Sequence, residues 1–367
     1  MDRHAARLSD LSPTQRRDAL AHAARAIDDG GAVVFPTETV YGVGVSARHH
    51  GAFATLTGLA PPLVWHAHGL DPIGDLLVLD APVARRLVRT LTPGPVQLVL
   101  QQPPETLRAI DDRLGLECGV IHDGDALHVR LPDHPVASEF LGACTHPVVA
   151  TRVSAAPFAD ADADRLGTVL DSAGPGPDAM LIDAPAPYGV TSTALRIDLD
   201  GAFRVVREGV VPEREIMARL QRHVLFVCTG NTCRSPMAAA IARALVDAAP
   251  PSGITTTVSS AGVAAIDGMP ASPEAVEAMA DRGLDLSGHA SRALTARLIA
   301  EADAVFTMTP SHAEAAMRIA PEAAHKIYPL DPRGLVPDPI GHPLEEYRRT
   351  ADRLEQLITQ RLSELDQ

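Results

Sequence analysis

Hydrophobic residues in the second part of the chain form short continuous runs separated by longer amphipathic stretches, a pattern typical of strands alternating with helices. Such alternation favours a small parallel sheet with right-handed crossovers. The sequence therefore predicts a Rossmann-like, parallel four-stranded domain with a functional loop after its first strand. The predicted strands are 224–227, 255–260, 304–308 and 326–329, and the predicted helices are 236–248, 272–283, 294–301, 310–319 and 343–365.

The first part of the chain has more and shorter hydrophobic runs. A helix-like stretch begins near residue 13 and ends at Asp28-Asp29-Gly30. So many short strands indicate a twisted, mainly mixed sheet covered by helices, so the fold class of the whole chain is α/β. The predicted strands are Ala32–Phe35, Leu76–Leu79, Val96–Leu100, Leu127–Arg130, Val148–Ala150, Met180–Ile182 and Ala194–Ile197.

Length and composition fit two domains of ordinary size in 367 residues, and Val210–Leu220 between them resembles a short helix. The net charge of −14 argues against non-specific nucleic-acid binding by the whole surface. The four cysteines follow no disulfide framework, and the chain shows neither an apolar leader nor a membrane-length apolar run. We therefore expect a cytoplasmic protein without a membrane partner.

The segment that follows strand 224–227 has the composition of a phosphate-binding loop: Cys228-Thr229-Gly230-Asn231-Thr232-Cys233-Arg234-Ser235. No proline interrupts it, so its N–H groups can point at one anion, and Ser235 and Pro236 suit the N-cap and first turn of a helix. A helix N-terminus and a guanidinium favour the thiolate form of Cys228, and Arg234 can hold two phosphoryl oxygens. The alternative, a buried cysteine at a strand end, leaves the glycine, the serine and Arg234 unexplained.

A thiolate that attacks phosphorus needs a proton donor for the leaving group. Asp338 is the candidate, because Pro337 and Pro339 stiffen the loop that carries it. It could act first as general acid and then as general base for water. An ordinary Asp-Pro turn is the alternative, but the loop at Cys228 favours the catalytic interpretation.

Residues 222–367 resemble the low-molecular-weight protein tyrosine phosphatases in the loop 228–235, in Ser260-Ala261-Gly262 and in Asp338-Pro339. The resemblance implies Cys228 as nucleophile, Arg234 as phosphate clamp and Asp338 as acid and base, with a phosphocysteine intermediate and neither cofactor nor metal. The remaining loop residues would bind phosphate or support the loop: Thr229, Gly230, Asn231, Thr232, Cys233 and Ser235.

Two features bear on the substrate. The loop with Thr232 resembles that of bacterial protein arginine phosphatases, which implies a preference for a guanidinium over a phenyl ring. Ile340, Gly341 and His342 stand where eukaryotic members of the family place aromatic residues, and aromatic residues make up only 3% of the chain. The sequence therefore predicts a phosphorylated protein substrate, carrying phosphoarginine or phosphotyrosine.

Cys233 is a candidate redox partner for Cys228, since the two lie five residues apart on one tight loop. A reversible disulfide would protect the nucleophile from over-oxidation. The alternative is a structural thiol that stays reduced.

In the first part of the chain, the segment 36–44 describes a rigid strand end that presents Thr37, Thr39 and Tyr41 to a ligand. A hairpin corner with solvent-facing threonines is the alternative. Residues 10–212 resemble the YrdC-like threonylcarbamoyl-AMP synthases, which act in tRNA adenosine modification. The resemblance implies ATP, threonine and bicarbonate as substrates and adds Arg130 and Ser192 to the pocket. The matching segments are Gly30–Gly44, Thr92–Pro95, Val129–Pro135, Ser192-Thr193 and Arg207–Gly209.

Two segments depart from that family. Thr57-Gly58-Leu59-Ala60 stands where the family has Lys-Gly-Arg-Pro, and Arg152-Val153-Ser154 stands where it has Ser-Ala-Asn. Losing two cations weakens triphosphate binding. Three hypotheses follow: a phosphatase with a degenerate partner domain, a phosphatase that is also an L-threonylcarbamoyladenylate synthase, and a nucleotide- or double-stranded-RNA-binding protein regulated by its phosphatase half.

The fifteen histidines predict no metal site, because none shows zinc-ligand spacing joined to cysteines. We therefore interpret His49-His50, His66 and His68 as surface or packing residues.

Overall fold

The computed structural model describes residues 4–53, 63–152, 177–249 and 252–365. The chain divides into two compact units, Met1–Ala218 and Arg219–Gln367. The sequence departures at Thr57–Ala60 and at residues 153–154 lie outside the described residues. In the described ranges, no helix combines the length and apolar character needed to cross a bilayer.

The first unit is built on one mixed sheet, as predicted, to which eleven strands of the described residues contribute. Its order is β1-β9-β2-β3-β8-β4-β7-β5-β10-β11, with β6 paired to β7. The sheet contains parallel pairs, such as β5 with β10, and antiparallel pairs, such as β5 with β7. The strands are β1 (His4–Arg7), β2 (Ala32–Phe35), β3 (Gly42–Ser46), β4 (Val64–His66), β5 (Val96–Gln101), β6 (His122–Asp123), β7 (Ala126–Arg130), β8 (Val148–Arg152), β9 (Ala179–Ile182), β10 (Thr193–Ile197) and β11 (Phe203–Arg207).

Helices pack on this sheet, and most of them begin with a proline, which suits the first helical turn. The first helix has a capping box, in which Ser12 and Gln15 each accept a backbone N–H of the other residue. Its apolar face packs with Phe35 and Phe140 in a buried cluster. The helices are α1 (Pro13–Asp28), α2 (His50–Phe53), α3 (Pro82–Leu91), α4 (Pro104–Leu114), α5 (Pro135–Ala143) and α6 (Glu213–Arg219), and a 3₁₀ turn covers Leu8–Asp10.

The predicted strand Leu76–Leu79 is wrong, because this segment lies in turn and coil. The backbone of Val78 pairs with a side chain instead of a neighbouring strand. Its N–H donates to Gln102 Oε1 at 2.8 Å, and its carbonyl accepts from Gln102 Nε2 at 3.1 Å. An amide side chain thus satisfies the polar groups that a sheet would otherwise pair.

As predicted, the second unit has a four-stranded parallel sheet in its described residues. Its strand order is β13-β12-β14-β15. Its strands are β12 (Gln221–Cys228), β13 (Thr255–Gly262), β14 (Ala304–Thr307) and β15 (Ile327–Pro329). Its helices are α7 (Arg234–Ala248), α8 (Pro273–Ala280), α9 (Ala296–Glu301), α10 (Pro310–Ile319) and α11 (Leu344–Leu365), with a 3₁₀ turn at Pro321–Lys326.

Strand β12 alternates between two buried clusters. Phe226 and Cys228 belong to the cluster formed with α7, α8 and α11, whereas Leu225 and Val227 belong to the one formed with α9 and α10. This period of two follows from the pleat of the strand. It places Cys228 at the carboxyl end of a central parallel strand, the usual position of a ligand site in such sheets.

Candidate active site

Cys228 is the last residue of β12 and is 3% exposed. Its Sγ lies 2.9 Å from Ser235 Oγ and accepts the N–H of Asn231 at 3.2 Å. These two polar partners fix the sulfur inside the loop and would stabilise a negative charge on it.

Asn231 holds the loop from within. It is the one non-glycine residue with a positive φ in the described ranges, at 56°. Its Nδ2 donates to Ser235 Oγ and to Ser260 Oγ, each at 2.9 Å, and its Oδ1 accepts the N–H of Arg292 at 2.9 Å. His289 Nε2 lies 2.7 Å from the Asn231 carbonyl oxygen. The Asn231 side chain thus links the loop to β13 and to the segment at Arg292, as expected of a loop support.

The loop lies directly on the backbone of β13. A Cβ placed on Gly262 would lie 2.4 Å from the carbonyl oxygen of Thr229 and 2.9 Å from the backbone nitrogen of Asn231. Only a residue without a side chain allows this approach. The predicted Ser260-Ala261-Gly262 segment therefore supports the loop through Gly262 as well as through Ser260.

Helix α7 begins earlier than the sequence predicts. It starts at Arg234 with Cys233 at the N-cap position, so the expected N-cap role of Ser235 is wrong. The reason is that Ser235 Oγ turns inward, toward Cys228 Sγ and the carbonyl oxygen of Ala261, to which it donates at 3.2 Å. The hydroxyl therefore supports the sulfur and not the end of the helix.

Arg234 and Asp338 contact each other across the site. Arg234 Nη2 donates to Asp338 Oδ2, and Nη1 donates to the carbonyl oxygen of Val336 at 3.2 Å. The Arg234 side chain is 5% exposed, whereas that of Asp338 is 40% exposed. A buried guanidinium thus meets a carboxylate on a solvent-facing loop, 104 positions further along the chain.

The remaining loop residues point to other partners. Thr232 is half-buried, and its carbonyl accepts the N–H of Ser272 at 2.9 Å. Cys233 Sγ donates to Ser272 Oγ at 3.3 Å and lies 3.7 Å from the Tyr347 hydroxyl. Cys228 and Cys233 are both free thiols. Gly230 has an ordinary φ and room for a side chain, since an added Cβ would have Thr232 Oγ1 as its nearest neighbour at 3.6 Å.

Sequence reasoning missed His312. This buried residue lies at the start of α10, and its Nε2 is 2.9 Å from Thr229 Oγ1. Burial, and then the positive charge of Arg234, lower the pKa of His312, against an opposite effect of Asp338. A lone histidine in an apolar helix carries no pattern that could have identified it.

The first unit has its own pocket, a cavity of about 230 Å³. Of the predicted ligand residues, Thr37, Tyr41, Arg130 and Ser192 line it. Thr39 does not face the cavity: it is fully buried and its hydroxyl accepts from Arg130 Nη2 at 2.7 Å.

The positive charge of Arg130 is balanced by a buried carboxylate, that of Glu38. Its Nη2 donates to Glu38 Oε1 at 3.0 Å, and both side chains are 6% exposed. Glu38 Oε2 and Arg130 Nε have no hydrogen-bond partner within the described residues. Burial, and then the charge of Arg130, lower the pKa of the neighbouring His66 to about 3. The pocket therefore offers polar groups to a small ligand, and sequence reasoning missed two of its lining residues, His66 and Gln97.

One group of side chains has atoms suited to a metal ion. Ligand atoms of Asp111, Cys118 and His122 lie within 4.8 Å of one another in the described part of the chain. Asp111 and His122 are buried and already pair at 2.7 Å, whereas Cys118 is exposed. A histidine therefore lies beside a cysteine here, and the absence of a metal site stays a prediction.

Comparison with known proteins places each region in a family. A family model described as "Low molecular weight phosphotyrosine protein phosphatase" matches residues 223–367. A second model, for the Sua5/YciO/YrdC family and described as "Telomere recombination", matches residues 25–209.

Named phosphatases are among the proteins similar to this chain. The Protein-arginine-phosphatase of Bacillus subtilis (strain 168) is 37% identical over 147 residues, which are 39% of this chain and 95% of that protein. The Low molecular weight protein-tyrosine-phosphatase Wzb of Salmonella typhi is 35% identical over 139 residues, 37% of this chain and 84% of that protein. A solved low molecular weight protein tyrosine phosphatase from T. tengcongensis is 42% identical, covers 39% of this chain and 99% of its own, and has a TM-score of 0.37. The chain therefore belongs to the low molecular weight phosphotyrosine protein phosphatase family through its C-terminal region and to the Sua5/YciO/YrdC family through its N-terminal region.

Proposed function

We propose that residues 222–367 form a phosphoprotein phosphatase domain in which Cys228 is the nucleophile. The observation that carries this proposal is the position of Cys228 Sγ, held by Ser235 Oγ at 2.9 Å and by the Asn231 N–H at 3.2 Å at the start of a helix. Such a setting places the sulfur beside the helix start and the loop N–H groups, where an anion can bind. Named protein-arginine and protein-tyrosine phosphatases among the relatives support the same reaction class.

In the proposed first step, the Cys228 thiolate attacks phosphorus, an S–P bond forms and the bond to the leaving group breaks. Arg234 holds two oxygens of the phosphoryl group while their charge spreads. The loop N–H groups from Thr229 to Ser235 complete the cradle. The product is a phosphocysteine and a leaving group that takes a proton from Asp338.

In the second step, Asp338 accepts a proton from water as the water attacks the phosphocysteine, which releases inorganic phosphate and regenerates the thiolate. Asp338 contacts Arg234 in the structure. An incoming phosphoryl group competes for the same guanidinium. We infer that substrate binding releases Asp338 from Arg234, so that its carboxyl group can reach the leaving group.

We favour phosphoarginine over phosphotyrosine as the substrate. Thr232 gives the loop a polar, half-buried side chain, and Ile340 beside the acid loop is 62% exposed and not aromatic. An aliphatic rim offers no ring for stacking on a phenyl group. The B. subtilis relative carries the name protein-arginine-phosphatase, whereas the S. typhi relative is named for tyrosine, so phosphotyrosine is the second candidate.

The test compares three proteins: wild type, Cys228→Ser and Cys118→Ser, the last a matched control at an exposed cysteine of the first unit. Each is given p-nitrophenyl phosphate, phosphoarginine and a phosphotyrosine peptide. We expect wild type and Cys118→Ser to release phosphate and Cys228→Ser to release none. Hydrolysis that survives in Cys228→Ser would overturn the nucleophile assignment, and much faster cleavage of phosphotyrosine would overturn the preference for arginine.

We propose that Cys233 is a redox partner of Cys228. Its sulfur now lies against Ser272 and Tyr347, so it must leave these hydroxyls to reach Cys228. Burial raises the pKa of Tyr347 to about 12, so its phenol keeps its proton at neutral pH. Activity lost to peroxide should return with dithiothreitol in wild type and not in Cys233→Ser. Equal recovery in both proteins would contradict this role.

Residues 10–212 form a YrdC-like domain. If this domain synthesises threonylcarbamoyl-AMP, the protein is a cytoplasmic, bifunctional enzyme. The cavity with Thr37, Tyr41, Arg130 and Ser192 favours binding of a small polar ligand, such as threonine or part of ATP. The Glu38 carboxylate beside Arg130 lowers the site's attraction for a triphosphate. Threonine-dependent release of pyrophosphate from ATP would establish the synthase. Its absence, with retained binding of ATP or RNA, would favour a binding role.

A further inference from the structure

A chain of hydrogen bonds reaches the phosphate clamp from helix α10. Thr309 caps this helix, and its Oγ1 lies 3.0 Å from His312 Nδ1. The other imidazole nitrogen, Nε2, lies 2.9 Å from Thr229 Oγ1. Thr229 Oγ1 in turn accepts a hydrogen bond from Arg234 Nη2 at 3.4 Å. The imidazole thus joins a helix cap to the active loop.

The contacts of Arg234 show why this chain matters for the reaction. Its guanidinium donates to three groups: Asp338, the carbonyl oxygen of Val336 and Thr229 Oγ1. The proposed mechanism requires Asp338 to leave this contact when phosphate enters. Val336 and Thr229 then keep the guanidinium in place during the chemical steps. Thr229 is an exposed residue on a loop, and its hydroxyl keeps one direction because His312 is buried and fixed.

A neutral imidazole suits this arrangement, since one nitrogen donates and the other accepts. Thr229 Oγ1 retains a lone pair for Arg234 whether the hydroxyl donates to Nε2 or accepts from it. A charged imidazole would instead repel the guanidinium. The lowered pKa of His312, caused mainly by its burial, is consistent with the neutral form.

We propose that Thr309, His312 and Thr229 act together as positioning residues that hold Arg234 while phosphate replaces Asp338. None of the three side chains touches the reacting atoms in this scheme. The proposal rests on the phosphatase function proposed above, because only that reaction requires Asp338 to leave Arg234. It assigns the histidine of α10 to phosphate recognition and not merely to packing.

The experiment uses the full chain and two measurements, kcat/KM for p-nitrophenyl phosphate and the Kd for inorganic phosphate. We expect Thr229→Val and His312→Leu each to lower kcat/KM about tenfold and to raise the phosphate Kd about tenfold. This is the size of one hydrogen bond to a charged group. Because the residues act as one unit, the double variant should have the same kcat/KM and phosphate Kd as the less active of the two single variants. Thr229→Ser, which restores the hydroxyl, should recover most of the loss.

Glu314→Ala is the matched control, since Glu314 is an exposed residue of the same helix, and it should leave both values unchanged. Effects that add in the double variant, or a Thr229→Val protein equal to wild type, would overturn the positioning role. If wild type showed no hydrolysis that depends on Cys228, the proposed function would be overturned but the positioning role would not. The phosphate Kd of the same variants would then decide the positioning role. His312→Gln replaces His312→Leu where circular dichroism shows that the leucine variant is unfolded.

Discussion

Replacing Asn231 tests how the active loop is held, because this is the only asparagine in the 367-residue chain. Its amide joins Ser235, Ser260 and the N–H of Arg292, and its φ of 56° is one that side chains other than asparagine rarely adopt. Asn231→Gly removes the amide and accepts the backbone angle. Asn231→Ala removes the amide and adds backbone strain.

The magnitude follows from the groups left unpaired. Ser260 Oγ and the Arg292 N–H lose their partner, at about 1–3 kcal/mol each, so Asn231→Gly should lower the free energy of unfolding of the second unit by about 2–6 kcal/mol. Alanine at a left-handed position costs about 1 kcal/mol more. Ser235 keeps its contacts with Cys228 Sγ and the Ala261 carbonyl oxygen, so we add no further loss of unfolding free energy for this residue.

Urea unfolding followed by far-UV circular dichroism and by fluorescence measures these losses. The single tryptophan, Trp65, is buried in the first unit, so its fluorescence reports that unit and serves as the internal control. We expect the circular dichroism transition to move to lower urea in the order wild type, glycine variant, alanine variant. A loss below about 1 kcal/mol for both variants would refute the account of the amide. Equal losses would refute the account of the backbone strain.

Three further predictions concern other contacts. Gly262→Ala should lower kcat/KM for p-nitrophenyl phosphate at least tenfold, because the added Cβ meets the loop backbone. Gly288→Ala is the control and should keep the wild-type kcat/KM, since its added Cβ would have nothing within 4 Å. Equal kcat/KM values for the two variants would contradict the close approach. Burial, and then Arg130, lower the pKa of His66 from 6.5 to about 3, so between these values only the unfolded chain binds the proton. Stability of the first unit should therefore fall as the pH drops from 6.5 toward 3, and His66→Gln should reduce that loss in Trp65 fluorescence; an unchanged pH profile would count against it. Arg130→Met leaves a buried carboxylate unpaired and should destabilise the first unit by about 3–5 kcal/mol in urea unfolding; a shift below 1 kcal/mol would show that the pair is dispensable.

The second unit follows its sequence pattern closely because its central strands, β12 and β14, are buried along most of their length. Val224–Val227 forms part of β12, and the predicted helix 310–319 has the same bounds as α10. The run Leu76–Leu79 misled for a physical reason: hydrophobicity alone does not say what pairs with a backbone, and here the side chain of Gln102 does.

The contacts of the site needed the structure. Thr229 and His312 are 83 positions apart, and Glu38 and Arg130 are 92 apart. Nothing in a single sequence marks such pairs, because each residue alone fits a surface turn or an apolar helix. The loop around Cys228 could be predicted because its chemistry lies within eight consecutive residues.

The sulfur of Cys228 lies in the same buried cluster as Phe226 and Met237, so the proposed nucleophile is also a packing atom. Protein interiors tolerate little change in volume, and a cavity or an oversized side chain displaces its neighbours. In the proposed mechanism, such a displacement would move the attacking atom relative to its phosphate. We therefore expect substitutions in the core beneath the loop to change turnover as well as folding.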